Sequence, residues 1–180
     1  MPNWNANTIT IEGPADKIRE LWARAQRGHQ YVNAATGETE ETSGLLEAMT
    51  PIGEWDYDRA VATWGTKWDI DLTGLELTEG DNGRAQIQGY ADSAWSPPIE
   101  AFQAYANENP DVYLELKYFE PGMSFIGVWD SEGGDAYWED IYGLVQSKAD
   151  EEDTVLAELF EEFNVWECYD WEETEDTAAE

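Results

Sequence analysis

The sequence predicts an α+β fold: a split β-α-β sandwich with an antiparallel sheet, followed by an acidic C-terminal helical extension. Three observations carry this. Short alternating segments are punctuated by Gly, Pro and Asn turns. Two amphipathic stretches lie where the crossover helices of such a sandwich belong. Finally, acidic residues accumulate toward the C-terminus: the chain has 40 Asp plus Glu against 9 Lys plus Arg, and residues 151–180 contain no Lys or Arg.

Thr8 to Glu12 alternates polar and apolar residues, with Ile9 and Ile11 on one face of a strand. Gly13-Pro14 ends it, and Pro14-Ala15-Asp16 opens a helix with proline and an acid in its first turn. Ile18, Leu21, Trp22 and Ala25 form one stripe, and Gly28 is the stop. Residues 29–44 are polar and irregular and read as a loop. Leu45 to Ile52 is a short apolar stretch, and Asp56 to Trp64 has weak helical character. Trp68, Ile70 and Leu72 alternate with Asp69, Asp71 and Thr73, which predicts a strand over 68–77. Glu79 to Gly83 is a turn, and a strand over 84–91 completes a hairpin.

Ser96-Pro97-Pro98 opens a helix over 97–108, with Ile99, Phe102 and Tyr105 or Ala106 buried, and Asn109-Pro110 ends it. Strands follow over 112–119 and 124–129. Tyr137 to Val145 fits either strand or helix. Ala149 to Phe163 is an amphipathic helix with Val155, Leu156, Leu159, Phe160 and Phe163 on one face. This order is that of a ferredoxin-like sandwich with one extra strand, and right-handed crossovers place both helices on one face. The name describes topology only, because Cys168 is the only cysteine and a cluster needs several. The expected organisation is a ferredoxin-like domain over 1–133, an acidic extension over 134–171 whose helix packs on it, and a disordered acidic tail over 172–180.

A net charge of −31 repels nucleic acid and acidic membranes and attracts basic surfaces at long range. Ten Trp and nine Tyr supply large apolar areas for a core, which argues against disorder over most of the chain. No apolar run is long enough to span a bilayer, and the N-terminus reads as lacking a signal peptide. These features predict a soluble cytoplasmic protein.

Four segments occur in order: MPNWNAN before the strand TITIEG, WGTKWDI (64–70), SAWSPP (93–98) and YFEPGMSFIG (118–127). Together they resemble the YubB-like proteins of phages and conjugative plasmids. The resemblance covers roughly residues 1–130 and implies a ferredoxin-like domain, with no biochemical role attached. Family members usually carry Cys at position 5. This chain has Asn5, so no thiol role at that position applies.

The inventory for chemistry is short. His29, the sole histidine, sits in a polar segment without a partner motif. Cys168 lies between Glu167 and Tyr169, and neighbouring carboxylates disfavour a thiolate. No phosphate-binding loop, zinc spacing or nucleophile elbow appears. The expectation is no enzyme, no catalytic residues, no cofactor and no metal. Asp69 and Asp71, with Asp56 or Asp58, form at most a weak cation site, for which a solvated face is the simpler reading. In Trp64-Gly65-Thr66-Lys67-Trp68, two Trp flank a Gly and a rare Lys; Trp64, Lys67 and Trp68 are either core packing or a ligand-binding turn.

The acidic helix is the most prominent feature. Asp150, Glu151, Glu152, Asp153, Glu158, Glu161, Glu162, Glu167 and Asp170, joined by Trp166 and Trp171, make the candidate partner-binding surface. At a rise of about 1.5 Å per residue these acids give roughly one carboxylate per few ångströms of helix, a density comparable with the one charge per about 1.7 Å of B-DNA. Phe160, Phe163, Trp166, Tyr169 and Trp171 would add anchoring contacts. The expected function is that of a non-enzymatic, acidic phage or plasmid protein. It would inhibit a basic host protein, a nucleic-acid-binding defence effector, by nucleic-acid mimicry of the anti-restriction or anti-CRISPR type. It would bind neither nucleic acid nor membrane directly. The alternatives are a small-ligand or metal-binding module, and a halophile protein whose charge is salt adaptation.

Overall fold

The computed structural model describes residues 3–32, 36–42, 44–80 and 82–168. It is a mixed α+β structure built on a six-stranded antiparallel sheet. The elements are β1 (Trp4–Pro14), α1 (Ala15–Arg27), β2 (His29–Val32), β3 (Thr39–Thr42), α2 (Leu45–Met49), α3 (Tyr57–Trp64), β4 (Leu75–Glu79) and β5 (Arg84–Ala94). There follow α4 (Ile99–Glu108), β6 (Tyr113–Glu120), β7 (Phe125–Asp130), β8 (Ala136–Glu139), α5 (Ile141–Ser147), α6 (Thr154–Glu162) and α7 (Val165–Cys168). The strand order is β4-β5-β1-β6-β7-β8, and β2 and β3 form a separate hairpin.

The alternation read in β1 is the alternation of burial. Asn5, Asn7, Ile9, Ile11 and Gly13 are buried, while Trp4, Thr8, Thr10 and Glu12 lie toward the other face. Register then fixes the faces of the neighbours. Ile9 stands opposite Leu116 and Ile11 opposite Leu114 and Ile87. On this face α1, α2 and α4 bury Ile18, Leu21, Leu45, Leu46 and Phe102 against the sheet. Among the described residues, the opposite face carries a packed helical layer over β6, β7 and β8. There Phe119, Ile126 and Val128 pack with Ile141, Val145, Leu156, Leu159, Phe160 and Val165 of the C-terminal helices. No described helix is long and apolar enough to cross a membrane.

Several expectations are corrected. Residues 68–74 are not strand; β4 begins only at Leu75. Their alternating polar groups are used in turns. The Asp69 carboxylate accepts from the N–H groups of Leu46 (2.7 Å) and Glu47 (3.0 Å), and Asp71 accepts from Thr73 N–H (2.6 Å). Local side-chain acceptors of this kind compete with a ladder. The polar segment 29–44 contains the β2–β3 hairpin rather than only loop. Leu45 to Met49 is helical. Tyr137 to Val145 divides at Asp140, which caps α5 from a left-handed conformation (φ 54°). The long helix expected over 149–163 is broken into a 3₁₀ turn (Ala149–Glu151) and α6, with Asp153 as the new cap accepting from Val155 and Leu156 N–H.

Candidate interaction surface and aromatic cleft

The acidic helix is anchored to the sheet. In α6, Leu156, Leu159 and Phe160 are at most 1% exposed, so the remaining positions face water. Glu158 and Glu161 are exposed there, as are Glu151 and Glu152 ahead of the helix and Glu167 in α7. Not every acid is free. Asp153 is occupied as the helix cap, and Glu151 pairs with Lys148 at 3.3 Å. Asp150 is partly buried. Glu162 accepts from the hydroxyls of Thr8 (2.8 Å) and Tyr90 (3.2 Å), which ties the end of α6 to β1 and β5. Trp166 packs edge-on against Phe160 at 5.3 Å and keeps a partly exposed edge, whereas Phe160 itself is core. Burial and Glu167 both push the Cys168 thiol up. Tyr169, Asp170 and Trp171, and the 172–180 tail, lie outside the described residues.

The WGTKW turn divides between core and surface. Trp64 is buried and donates its indole N–H to the Thr50 carbonyl at 2.9 Å. Gly65 follows it at φ 80°, where a side chain would collide with Glu100; glycine is the residue that takes this conformation without strain. Thr66 is buried, and its hydroxyl bridges the Ala94 backbone through both N–H and C=O. Lys67 and Trp68 point outward. The ammonium stands 4.3 Å from the Trp68 ring centroid, and Trp68 meets Trp4 at 5.8 Å.

All four segments that carry the family resemblance meet at this end of the sheet. Trp95 N–H donates to Asn3 C=O, and Ser96 Oγ donates to Gly65 C=O. Asn3 lies against Gly122, next to Glu120, whose buried carboxylate accepts from the N–H groups of Gly122 and Met123. Behind them Asn5, Asn7 and Ser93 form a buried polar triad. Asn5 Nδ2 donates to Asn7 Oδ1 (2.7 Å), and Asn7 Nδ2 donates to Ser93 Oγ (3.0 Å). Trp95 is held at φ 75° and is about half exposed, an unusual backbone state for a bulky residue.

Asp69 is the most perturbed carboxyl in this region. Burial pushes it up to about 6, against the lowering effect of three backbone N–H donors, those of Glu47, Leu46 and Ile70. It therefore serves as the cap of α2 supplied from another segment. Gly44 leaves room for it, since a side chain there would strike the Asp69 carboxylate. The cation site considered from sequence has no geometric support. Asp69 is used on α2, Asp56 accepts from Arg59 N–H at the start of α3, and no group of three or more His, Cys, Asp or Glu side chains converges among the described residues.

Beside Trp68 opens a cleft of about 360 Å³ lined by Trp4, Trp68, Asp71, Gly74, Tyr90 and Asp92, among others. Sequence reading missed it, although a signal was present. Trp4 shares the phase of Thr8 and Thr10, not that of Ile9 and Ile11, so the strand pattern already places this ring on the face opposite the main core. What the pattern does not give is the fold-back of residues 65–74 that sets Trp68 against it. Comparison with protein-family models, curated proteins and solved structures finds no match to this chain.

Proposed function

We propose that this chain is a non-enzymatic, acidic interaction protein of a phage or plasmid that occupies the nucleic-acid-binding surface of a basic host defence protein, of the restriction or CRISPR type. One observation carries the reading: the outward carboxylates belong to a helix whose apolar side is locked onto the sheet. Glu158 and Glu161 are exposed on α6 while Leu156, Leu159 and Phe160 are buried beneath them. A solubilising tail needs no fixed positions. A surface that replaces a phosphate array does, because electrostatic complementarity depends on where the charges stand. The long-range field of a chain at −31 adds attraction toward basic partners.

The order β4-β5-β1-β6, with α1 after β1 and α4 after β5, supports reading the first part of the chain as a ferredoxin-like core. In that reading the β2–β3 hairpin, α2 and α3 are inserted between α1 and β4, and β7 and β8 extend the sheet. The meeting of the four motif segments at one end of the sheet supports the YubB-like reading, since residues that form one site are constrained together.

The test uses the full chain as bait in a bacterial lysate, followed by competition of the captured protein against labelled DNA. The expected result is capture of a DNA- or RNA-binding protein and displacement of the nucleic acid. The triple substitution Glu158→Gln, Glu161→Gln and Glu167→Gln should weaken displacement by about tenfold or more, some 1.4 kcal/mol, with an unchanged circular dichroism spectrum. Displacement that is indifferent to the three substitutions removes the acidic helix from the interface.

A further inference from the structure

Outside the acidic helix, aromatic rings and carboxylates meet again in the cleft beside Trp68. Its volume is about 360 Å³. Trp4 is 51% exposed, Trp68 36% and Tyr90 61%, so three large rings present surface to a single opening. Exposed apolar surface gathered in one place marks an interaction site rather than the scattered exposure of ordinary surfaces. Asp71 and Asp92 are exposed at the same cleft. Hydrogen bonding from Thr73 holds the Asp71 carboxyl below its ordinary range, so it is ionised at neutral pH. Among the described residues lining the opening there is no Lys or Arg.

This combination selects its ligand by charge and shape. The faces of indole and phenol rings attract a cation within about 6 Å of their centroids. The protein already shows the effect internally, with the Lys67 ammonium 4.3 Å from the Trp68 centroid. An anion or a nucleic acid base with its phosphate is repelled by the exposed carboxylates of Asp71 and Asp92, which line the cleft together with the partly buried Asp69, and by the whole chain. A neutral apolar ligand offers these carboxylates no counter-charge and leaves Asp71 with only its Thr73 donor. A guanidinium satisfies every wall: it is planar, stacks on rings, is weakly hydrated and pairs with carboxylates through two parallel N–H bonds.

We propose that this cleft is the recognition site for an arginine side chain presented by a basic partner protein. The site is separate from the acidic face of α6 but continuous with it, because Tyr90 lines the cleft and donates to Glu162 at the end of that helix. The proposal takes the source of the arginine from the interaction-protein reading; the chemistry of the cleft stands without it.

The experiment is a titration of the full chain with N-acetyl-arginine methylamide at fixed ionic strength. It is followed by the indole N–H resonances in ¹⁵N–¹H NMR and assigned with Trp4→Phe and Trp68→Phe. Spermidine and sodium chloride serve as parallel titrants. The Trp4 and Trp68 resonances should shift saturably with the arginine compound. Trp68→Ala and, independently of any effect on folding, the exposed substitution Asp92→Asn should each weaken binding by about fivefold. Glu158→Gln with Glu161→Gln should change it by less than about twofold, since those side chains do not line the cleft. The proposal is overturned by shifts that never saturate and are reproduced by sodium chloride, or by tighter binding of spermidine than of the arginine compound, which would make a free polyamine the ligand. Binding lost on neutralising Glu158 and Glu161 but indifferent to Asp92→Asn would also overturn it, while leaving the acidic-helix reading intact.

Discussion

The two faces of the sheet are finished by different parts of the chain, and the strands record the difference. Under α1, α2 and α4 one face is apolar over the middle of β1, β5 and β6, where Ile9, Ile11, Ile87, Leu114 and Leu116 are all fully buried, and ends in the buried polar triad Asn5, Asn7 and Ser93. The other face divides in two. Over β1 and β5 it carries Thr8, Thr10, Gln86, Gln88 and Tyr90, and among the described residues it is met there by Glu162 and, at Trp4, by Trp68 rather than by a helical layer. Over β6 and β7 it carries Phe119, Ile126 and Val128 beneath the C-terminal helices. Consequently β1 alternates, as a strand with one covered face must. β7 instead reads as the unbroken run Phe125 to Trp129, all buried, because both of its faces are covered. Where the run replaces the alternation, a second layer lies on top.

That comparison can be broken with one substitution on each face. Phe102 is fully buried in the main core and meets Trp129 edge-on at 6.3 Å; Phe160 is 1% exposed among the C-terminal helices. Phe→Ala at such sites costs about 3–5 kcal/mol. Phe102→Ala should lower the global denaturation midpoint by an amount of that size. Phe160→Ala should instead release residues 141–168 alone, seen as loss of amide protection in α5 and α6 while β1 stays protected. Equal loss of protection in β1 from both variants would show that the two layers unfold as one.

The next effect in size separates the loop end of the molecule from both layers. Asp69 is pushed up to about 6 in the folded chain from an ordinary value of 3.8. A raised carboxyl pKa means that the fold prefers the protonated form. Its contribution is therefore fully present below about pH 4 and is lost as pH rises through about 6. At about 1.4 kcal/mol per unit, the loss approaches 3 kcal/mol. The general repulsion among the other acids changes in the same direction, so the measurement is a difference. Urea midpoints of the wild type and Asp69→Asn, taken from pH 4 to 7.5, should diverge through that window, with the wild type losing more. Parallel curves would mean that the three N–H donors offset burial, and divergence in the opposite sense that they outweigh it.

How much of this could be read from the sequence depends on whether a residue's role is local. The frame of strands and two crossover helices follows from alternation and from Gly and Pro punctuation, and α1 starts and stops where Pro14 and Gly28 say it should. The segment 68–74 misleads because the partners of its polar residues are distant. Asp69 caps a helix more than twenty residues upstream, and no period encodes that. The break at Asp153 was legible as a helix cap, but it was hidden inside a longer amphipathic pattern. Among the candidate residues, Trp64 reads more readily as core than as ligand, and the Thr50 carbonyl beside its buried indole places it in the core. Trp4 was visible as an aromatic out of phase with its strand, yet its partner Trp68 comes from a fold-back that sequence does not show.

A smaller effect tests how firmly the second layer is held. Asp153 accepts from Val155 and Leu156 N–H at the start of α6. Asp153→Ala should cost about 1 kcal/mol of local stability, read as faster exchange of the first-turn amides of α6 with little change in the main core. No change there would mean that packing of Leu156 and Phe160 alone fixes the helix start.

The smallest expected effect lies on the open part of that face, and it asks whether the acidic helix is held over β1 and β5 by its hydrogen bonds or only by its apolar stripe. Tyr90 O–H and Thr8 O–H both donate to the same Glu162 oxygen. Tyr90→Phe removes one donor and leaves the other, so the carboxylate is not stranded. A solvent-exposed hydrogen bond to a charged group contributes at the low end of the usual range, under about 1 kcal/mol. The expected outcome is a midpoint shift near the limit of detection, together with a clear perturbation of the Glu162 and Thr8 amide resonances and none at Phe102 or Ile11. The pair Tyr90→Phe with Thr8→Val should exceed the sum of the single effects, because only the double variant leaves Glu162 without either donor. If the double variant is merely additive and leaves α6 protected, the apolar contacts of Leu156, Leu159 and Phe160 position the helix unaided. The open half of the sheet would then be free surface up to the rim of the Trp68 cleft.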